Sequence, residues 1–287
     1  MKNRAWLFVL PVLILVAVNA FIPIMAVINY SLHVSFPGSA PEFVGLANYI
    51  QVLNDPDFLG ALKRQFVFSS AVLLVQIPLG IIVALCMPRE KKWAVSLVLV
   101  LMGIPLLIPH IVVGLLWRIM SAYEVGLLSK ILSVVFGYEY LVSKNPIDAV
   151  ATIFGLDCWH WTTLVALLCY AGLRAIPEQF YQAAAIDGAS GWKTFWYVTL
   201  PKLRSVLIIA VLLRFMDSFM IYAEPFLMTG GGPGNWNTYL NIFVARRAET
   251  YELGFAGASS IVYLYIVVVC CWLFFTIMTR VGKGGTR

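Results

Sequence analysis

Apolar residues are concentrated in six runs that are long enough to cross a lipid bilayer as helices. A helix needs roughly 18–20 predominantly apolar residues to span the hydrocarbon core, and polar stretches separate the runs. The pattern therefore predicts an all-α membrane protein with a single transmembrane domain over residues 1–287. The six predicted helices cover about residues 6–30, 66–87, 95–116, 150–173, 206–228 and 259–278.

Prolines predict that two of these helices are irregular. Pro11 and Pro23 lie in the first run, and Pro105 and Pro109 lie four residues apart in the third. Because proline removes a backbone hydrogen bond inside a helix, we expect a bend in the first helix and a break or kink near the middle of the third. Between the third and fourth runs, the half-apolar stretch Val125–Phe136 predicts a short helix on the outer surface.

Composition and charge support a membrane protein and give its orientation. The chain is 61% hydrophobic and 12% charged, whereas soluble domains are about 25% charged. With a cytoplasmic N-terminus, twelve basic residues fall inside and seven outside, so the positive-inside rule predicts that both termini are cytoplasmic. The net charge of +6 follows from this bias and requires no nucleic-acid partner. The basic residues predicted to lie inside are Lys2, Arg4, Arg89, Lys91, Lys92, Arg174, Lys193, Lys202, Arg204, Arg280, Lys283 and Arg287, and those predicted to lie outside are Lys63, Arg64, Arg118, Lys130, Lys144, Arg246 and Arg247.

The first apolar run is too long to be the core of a cleaved signal peptide.

A patterned polar stretch, about residues 177–201, separates the fourth and fifth runs. Asp187-Gly188 predicts the end of one short helix, and Ser190 is a suitable N-cap for a second over residues 191–198. Leu200-Pro201 predicts the end of that second helix, with Pro201 in the first turn of the next one. Two short helices at the cytoplasmic edge of a membrane would form a projection suited to a groove on a partner protein.

The same stretch resembles the "EAA" loop of permease subunits of binding-protein-dependent ABC importers. The resemblance rests on Gln182-Ala183-Ala184, a glycine four residues later, and the hydrophobic-x-Leu-Pro ending Val198–Pro201. In that family the loop docks into a cleft of the ATP-binding subunit and transmits its closure. Gln182 replaces the family's glutamate, which removes the carboxylate for a salt bridge but leaves docking open. The resemblance implies an ATPase-coupling role for Gln182, Ala183, Ala184, Asp187, Gly188, Leu200 and Pro201.

Three further segments resemble the carbohydrate branch of these permeases. They are Phe43–Tyr49, the third helix with its two prolines and Trp117-Arg118, and the glycine-rich Thr229–Pro233. The resemblance implies the type I ABC importer permease fold in a bacterial inner membrane. It also implies a second homologous permease in a heterodimer, two ATP-binding subunits and a periplasmic solute-binding protein. Phe43–Tyr49 would either contact the binding protein or pack on the helix bundle.

The fourth and fifth runs each carry polar residues at membrane depth. Insertion of a charged residue at the centre of a transmembrane helix costs about 2.5–3.5 kcal/mol, so such residues usually have a functional role. Asp157 and His160 can hydrogen-bond the hydroxyl groups of a sugar or polyol, and the indole of Trp161 can stack on its CH faces. In the family, residues at this distance before the loop line the solute site. The alternative for the tryptophans is an interfacial aromatic belt.

In the fifth run, Arg214, Asp217 and Ser218 share one helical face. Arg214 and Asp217 would either neutralise each other or line the pathway, and both can hold. The register that the family uses for its solute site extends to Tyr222. In the third run, His110 would line the pathway or form a structural hydrogen bond, since a histidine facing lipid is costly.

The sequence offers no catalytic, nucleotide or metal site. The glycine-rich loop lacks the following Lys and Ser/Thr of a phosphate-binding loop, and Cys86, Cys158, Cys169, Cys270 and Cys271 have the positions of small buried hydrophobes. We therefore expect no cofactor on this chain, with ATP and magnesium on the partner ATPase.

The predicted function is that of a permease subunit of an ATP-driven importer that works by alternating access. Its solute would be a sugar, sugar alcohol, glycerol or glycerol phosphate. The alternative is an ion-coupled secondary transporter with Asp157, Arg214 and Asp217 as its relay, and a membrane-embedded enzyme using His160 and Asp157 is a third interpretation.

Overall fold

A computed structural model of the protein describes residues 5–34, 40–88 and 92–283. The described chain is almost entirely helical. Its elements are α1 (Ala5–Ser31), β1 (His33–Val34), β2 (Glu42–Phe43), α2 (Ala47–Asn54), α3 (Pro56–Leu85), α4 (Lys92–Leu107), α5 (His110–Met120), α6 (Leu127–Phe136), α7 (Pro146–Arg174), α8 (Gln179–Ile186), α9 (Gly191–Thr194), a π-helical turn (Phe195–Thr199), α10 (Leu200–Phe219), α11 (Ala223–Thr229), α12 (Leu240–Glu249) and α13 (Leu253–Lys283).

Within the described residues, four helices are long and apolar enough to cross a membrane, and two bent helix pairs raise the number to as many as six. The four lie in α1, α3, α7 and α13, and the pairs are α4 with α5 and α10 with α11. These positions correspond to the six predicted runs. The all-α membrane fold is therefore confirmed, although two of the spans are broken rather than continuous.

The break predicted in the third run occurs between α4 and α5, whose axes differ by 92°. Pro109 has an extended ψ of 141° and precedes the first residue of α5. Its missing N–H and its steric effect on Ile108 explain why the helix stops there.

The fifth run was predicted as one helix over 206–228, and this is wrong. Tyr222, with φ −150° and ψ −59°, leaves the helical region and separates α10 from α11, which differ in direction by 40°. Pro225, in the first turn of α11, has no N–H to donate to the carbonyl of Ile221 four residues earlier, which explains why the helix cannot continue through Tyr222.

The described residues form two compact units, one from the ranges 1–62 and 240–268 and the other from the ranges 63–239 and 269–287. In the first unit, His33 pairs with Phe43 and Val34 with Glu42 in an antiparallel two-stranded sheet. The buried Asn48 side chain donates to the carbonyls of Ser31 (2.9 Å) and His33 (3.0 Å). The stretch between the first and second predicted runs thus contains β2 and α2.

The α3 helix begins at Pro56 rather than at Phe66, because the Asp55 carboxylate accepts a hydrogen bond from the backbone N–H of Phe58 (2.7 Å) and so caps the helix. The core of the first unit contains Phe58, Phe243 and Phe255. A short helix, α12, follows residue 239.

In the second unit, α7 packs against α4 and α10, and α5 packs against α11. Asn145 caps α7 by accepting from the N–H of Ile147 (3.0 Å), with Pro146 in the first turn. Glycines permit close helix packing: a Cβ at Gly172 would lie 2.9 Å from Leu203 and Val206 of α10, and one at Gly114 of α5 would lie 3.2 Å from the Cα of Glu224 in α11. The predicted surface helix between the third and fourth runs is α6.

Candidate functional site

In the second unit, five helices contribute side chains to one group of mainly polar residues. We call this group the polar cluster. It consists of Gln76 from α3, His110 from α5, Asp157, His160 and Trp161 from α7, Arg214 and Asp217 from α10, and Glu224 from α11.

The centre of the cluster is a closed hydrogen-bonded triangle. Arg214 Nη2 donates to Asp157 Oδ2 at 2.8 Å, and its Nε donates to Gln76 Oε1 at 2.7 Å. Gln76 Nε2 then donates to Asp157 Oδ2 at 2.6 Å. Arg214 is fully buried and Asp157 is 4% exposed. A buried charge needs a partner and further hydrogen bonds, and this triangle supplies both.

Asp217 is a secondary partner of Arg214. Its Oδ2 lies 3.9 Å from Arg214 Nη1, and its side chain is 30% exposed. The local pair predicted from the sequence is thus present, but the hydrogen bonds of the guanidinium go to Asp157, 57 residues away, and to Gln76. The guanidinium carbon of Arg214 also lies over the ring of Trp161, 4.7 Å from its centroid, which is a cation–π contact.

A second group in the cluster joins two histidines and a carboxylate. His110 Nδ1 lies 2.5 Å from Glu224 Oε1. The His110 and His160 rings are 5.1 Å apart, and His160 stacks on Trp161 at 5.3 Å and 15°. His110 is half exposed, whereas Glu224 and His160 are buried. The alternatives predicted for His110 both remain, since it makes a polar contact and is also accessible.

The helix breaks explain why these side chains are in reach of one another. His110 is the first residue of α5, immediately after the break from α4, and Glu224 lies in the first turn of α11, after the break from α10. Gly114 allows the two short helices to approach closely. The continuous helix α7 supplies Asp157, His160 and Trp161 along one stretch.

The other predicted pathway residues have different neighbours. The hydroxyl of Ser218 donates to that of Ser69 (2.8 Å), and its backbone carbonyl accepts from Gln65 Nε2 (2.9 Å), so it joins α10 to α3. Tyr222 stacks on Phe226 at 5.2 Å at the start of α11. These contacts of Ser218 and Tyr222 go to residues outside the polar cluster, so both lie at its periphery.

Two cluster residues, Gln76 and Glu224, were missing from the sequence-based site. Gln76 is a fully buried amide within the predicted second span, and Glu224 is a carboxylate within the predicted fifth span. Polar residues inside apolar runs were the available signal for both.

The 177–201 loop forms a second candidate site. Within it, α8 ends at Ile186, and Gly188 has a left-handed φ of 67°, as the Asp187-Gly188 pair predicted. Ser190 caps α9 by accepting from the N–H of Lys193 (3.4 Å). Ala184 is buried, while Gln182, Ala183, Asp187 and Gly188 are exposed.

The predicted end of the second short helix at Leu200-Pro201 is wrong. Residues 195–199 form a π-helical turn that runs directly into α10, with Pro201 in the first turn of α10. Pro201 has no N–H to donate to the carbonyl four residues earlier, and the wider π turn accommodates that lost bond. Leu200 is half-buried and Pro201 is exposed.

Large apolar side chains are exposed on this loop, namely Ile186 (87%), Trp192 (71%) and Tyr197 (80%). Beside them lies an apolar cleft of about 770 Å³ between the loop and Pro78, Ile81, Ile82 and Leu85 of α3. The loop therefore presents large apolar side chains together with the exposed charges of Glu178, Asp187 and Lys193.

Comparison with known proteins places the chain in a family. Residues 76–284 match the family described as "Binding-protein-dependent transport system inner membrane component". The chain is 34% identical over 281 residues to the trehalose/maltose transport system permease protein MalF of Thermococcus litoralis, which covers 97% of this chain and 93% of that protein. It is 27% identical over 292 residues to the trehalose transport system permease protein SugA of Mycobacterium tuberculosis, with 99% and 91% covered.

Solved structures agree on the fold. A chain of a bacterial ABC transporter that imports the acidic polysaccharide alginate superposes with a TM-score of 0.80 at 18% identity, covering 100% of this chain and 98% of that one. The described spans, the family match over most of the chain and these relatives together lead to one conclusion. The chain belongs to the inner-membrane component family of binding-protein-dependent transport systems, as a multi-pass inner-membrane permease of a carbohydrate ABC importer with the type I fold.

Proposed function

We propose that the chain is one permease subunit of an ATP-driven importer that moves a neutral polyhydroxylated solute by alternating access. It would pair with a second homologous permease, two ATP-binding subunits and a periplasmic solute-binding protein, with both termini in the cytoplasm. A solved alginate transporter is described in complex with a periplasmic protein that carries an alginate pentasaccharide, which supports a binding protein as partner.

The observation that carries the proposal is the layering of the polar cluster. His110 (side chain 51% exposed) and Asp217 (30%) are accessible, and Trp161 is partly exposed. Behind them Arg214 and Asp157 are buried and hydrogen-bonded. A solute would meet an imidazole, a carboxylate and an indole face, which are groups that bind sugar hydroxyls and CH faces. The buried layer would hold these three groups in place.

The charges of the cluster favour a neutral solute. The guanidinium of Arg214 is neutralised by Asp157 at 2.8 Å. The remaining carboxylates, Asp217 and Glu224, give the site a negative character that opposes an anion. Among the solutes considered, a sugar, sugar alcohol or glycerol fits this site better than glycerol phosphate. The names of MalF and SugA, which mention trehalose and maltose, agree with a neutral saccharide, whereas the alginate transporter of similar fold is described as importing an acidic one.

Coupling would pass through the 177–201 loop, which joins α7 to α10. These are the helices that carry Asp157 and Arg214, so a displacement of the loop acts on both sides of the ion pair. The exposed Ile186, Trp192 and Tyr197 suit an apolar groove on the ATP-binding subunit. Docking by apolar contact also explains why Gln182 can replace a glutamate.

The proposal is tested by reconstitution of the complete assembly in proteoliposomes, with labelled trehalose or maltose and the binding protein outside and ATP inside. We expect uptake that requires ATP and the ATP-binding subunits and that continues when ionophores collapse the ion gradients. Uptake that persists without the ATP-binding subunits and stops with the ionophores would instead establish an ion-coupled secondary transporter.

A further inference from the structure

We propose that His110, His160 and Glu224 form a binding site for one divalent transition-metal ion of the zinc type. The potential ligand atoms of the three side chains all lie within 4.8 Å of one another. Spacing along the chain does not predict this site, because the three residues lie on three separate helices and are far apart in sequence.

The donor set selects the class of metal. Two imidazole nitrogens and one carboxylate oxygen are typical ligands of zinc and its neighbours, whereas magnesium and calcium prefer oxygen ligands alone. Metal–ligand bonds of about 2.0–2.2 Å place the ligand atoms of a tetrahedral site roughly 3.4 Å apart. The 2.5 Å contact between His110 Nδ1 and Glu224 Oε1 would therefore widen, and the longer separations would shorten.

The burial of His160 and its lack of a hydrogen-bond partner at Nδ1 independently support a role for this residue as a metal ligand. The residue is 2% exposed, and its Nδ1 is buried without a hydrogen-bond partner among the described residues. Buried polar atoms normally have a partner, so an unpaired imidazole nitrogen needs an explanation. Such a ring can donate a lone pair to a metal without the loss of an existing hydrogen bond at that nitrogen.

The residues around the site favour a cation by their charge and leave the site accessible. The carboxylates of Asp157, Asp217 and Glu224 outnumber the one guanidinium of Arg214 in the polar cluster. His110 is half exposed and so provides access, and three protein ligands leave a coordination position for water.

The three ligands come from different parts of the broken bundle. His110 follows the break between α4 and α5, Glu224 follows the break between α10 and α11, and His160 lies on the continuous α7. A bound ion would fasten both short helices to α7. If the chain works by the proposed import cycle, the bound ion would hold the helices in one arrangement and slow uptake. Only this effect on uptake rests on the proposed function.

The test uses the purified complete transporter, prepared with a histidine-free affinity tag and titrated with Co²⁺. Visible d–d absorption reports a four- or five-coordinate ion, and Zn²⁺ should displace it. His110→Gln and Glu224→Gln each remove a ligand. His33→Gln is the matched control, because His33 is the chain's third histidine and its Nδ1 lies 2.7 Å from the carbonyl of Asn29, a residue outside the cluster.

We expect His33→Gln to keep the Co²⁺ signal of the unaltered protein. His110→Gln and Glu224→Gln should each lower the affinity for Co²⁺ by more than roughly 10–100-fold, which is the loss typical of changes to residues that only support a metal ligand. His160→Gln should do the same if it folds, and the other two variants decide the matter if it does not. Absence of the signal from the unaltered transporter, or equal affinity in His110→Gln, Glu224→Gln and His33→Gln, would overturn the proposal. This readout does not depend on transport, so it is separate from the test of the import cycle.

Discussion

Arg214 of α10 and Asp157 of α7 form a buried ion pair, with 2.8 Å between Nη2 and Oδ2. The pair joins the two helices that the 177–201 loop connects. Gln76 of α3 forms hydrogen bonds to both side chains of the pair. The same two side chains thus hold the bundle together and form the base of the proposed solute site.

The first prediction concerns this pair. Arg214→Leu leaves the Asp157 carboxylate buried without its cation, and loss of one partner of a buried ion pair costs about 3–5 kcal/mol. We expect a large fall in the thermal stability of the detergent-solubilised assembly, measured by fluorescence-detected size exclusion after heating. The matched control is Arg118→Leu, because Arg118 is exposed and its guanidinium donates to the carbonyl of Leu227 (3.2 Å) rather than to a buried carboxylate.

The double variant Asp157→Leu/Arg214→Leu separates charge from packing. Removal of both charges removes the penalty for an unpaired one, so we expect it to be more stable than Arg214→Leu alone. A double variant that is less stable than Arg214→Leu alone would show that the unpaired charge is not the source of the effect.

The second prediction concerns Gly188 in the 177–201 loop. Both Gly188 and Gly191 have open space for a Cβ, but only Gly188 has a positive φ, of 67°. A side chain in the left-handed region costs roughly 1–2 kcal/mol. Gly188→Ala should therefore lower ATP-dependent uptake in proteoliposomes, while Gly191→Ala retains it. Gly188→Asp should abolish uptake, because it also places a larger, negatively charged side chain on the exposed loop.

In the Gly188 variants, the affinity of the binding protein for its solute should stay unchanged, since the loop is not part of that protein. Normal uptake by Gly188→Asp would show that the loop geometry does not matter for coupling. A bulky residue at the buried Ala184 should act in the same direction.

The third prediction concerns the packing of α5 against α11. A Cβ at Gly114 would lie 3.2 Å from the backbone Cα of Glu224, whereas one at Gly103 of α4 would meet nothing within 4 Å. Gly114→Val should push the two short helices apart, separate His110 from Glu224 and reduce both stability and uptake. Gly103→Ala is the control, and equal behaviour of the two variants would contradict close packing of α5 on α11.

The sequence was sufficient for the parts of the fold that depend on local features. Apolar run length located the spans, Pro109 marked the break before α5, and Ser190 marked the start of α9. Each of these depends on a few neighbouring residues. The break at Tyr222 was missed because its signal, Pro225, lies three residues beyond the break and inside an apolar run. The π-helical turn was missed because such turns have no simple sequence pattern.

In the polar cluster too, contacts within one helix were predicted from the sequence and contacts between helices were not. Spacing along one helix correctly placed Asp217 near Arg214, but the hydrogen-bonded carboxylate is that of Asp157 on another helix. Gln76 is 81 residues from Asp157 and Glu224 is 114 residues from His110. Such pairs depend on how the helices pack, and a single sequence does not contain that information in readable form.

The central claim is that the accessible face of the polar cluster binds the solute during ATP-driven import. It is tested most directly by uptake and ATP hydrolysis measured on the same proteoliposomes for Trp161→Ala and its neighbour Trp159→Ala. Trp161 lies over the guanidinium of Arg214 and stacks on His160, whereas Trp159 lies against Trp117, with 6.2 Å between ring centroids, and is tilted by 59° to His160 at 6.3 Å. We predict that Trp161→Ala lowers uptake by roughly tenfold, equivalent to about 1.4 kcal/mol, with binding-protein-stimulated ATP hydrolysis retained and Trp159→Ala close to the unaltered transporter. Unchanged uptake in Trp161→Ala, or an equal loss in both variants, would contradict the claim.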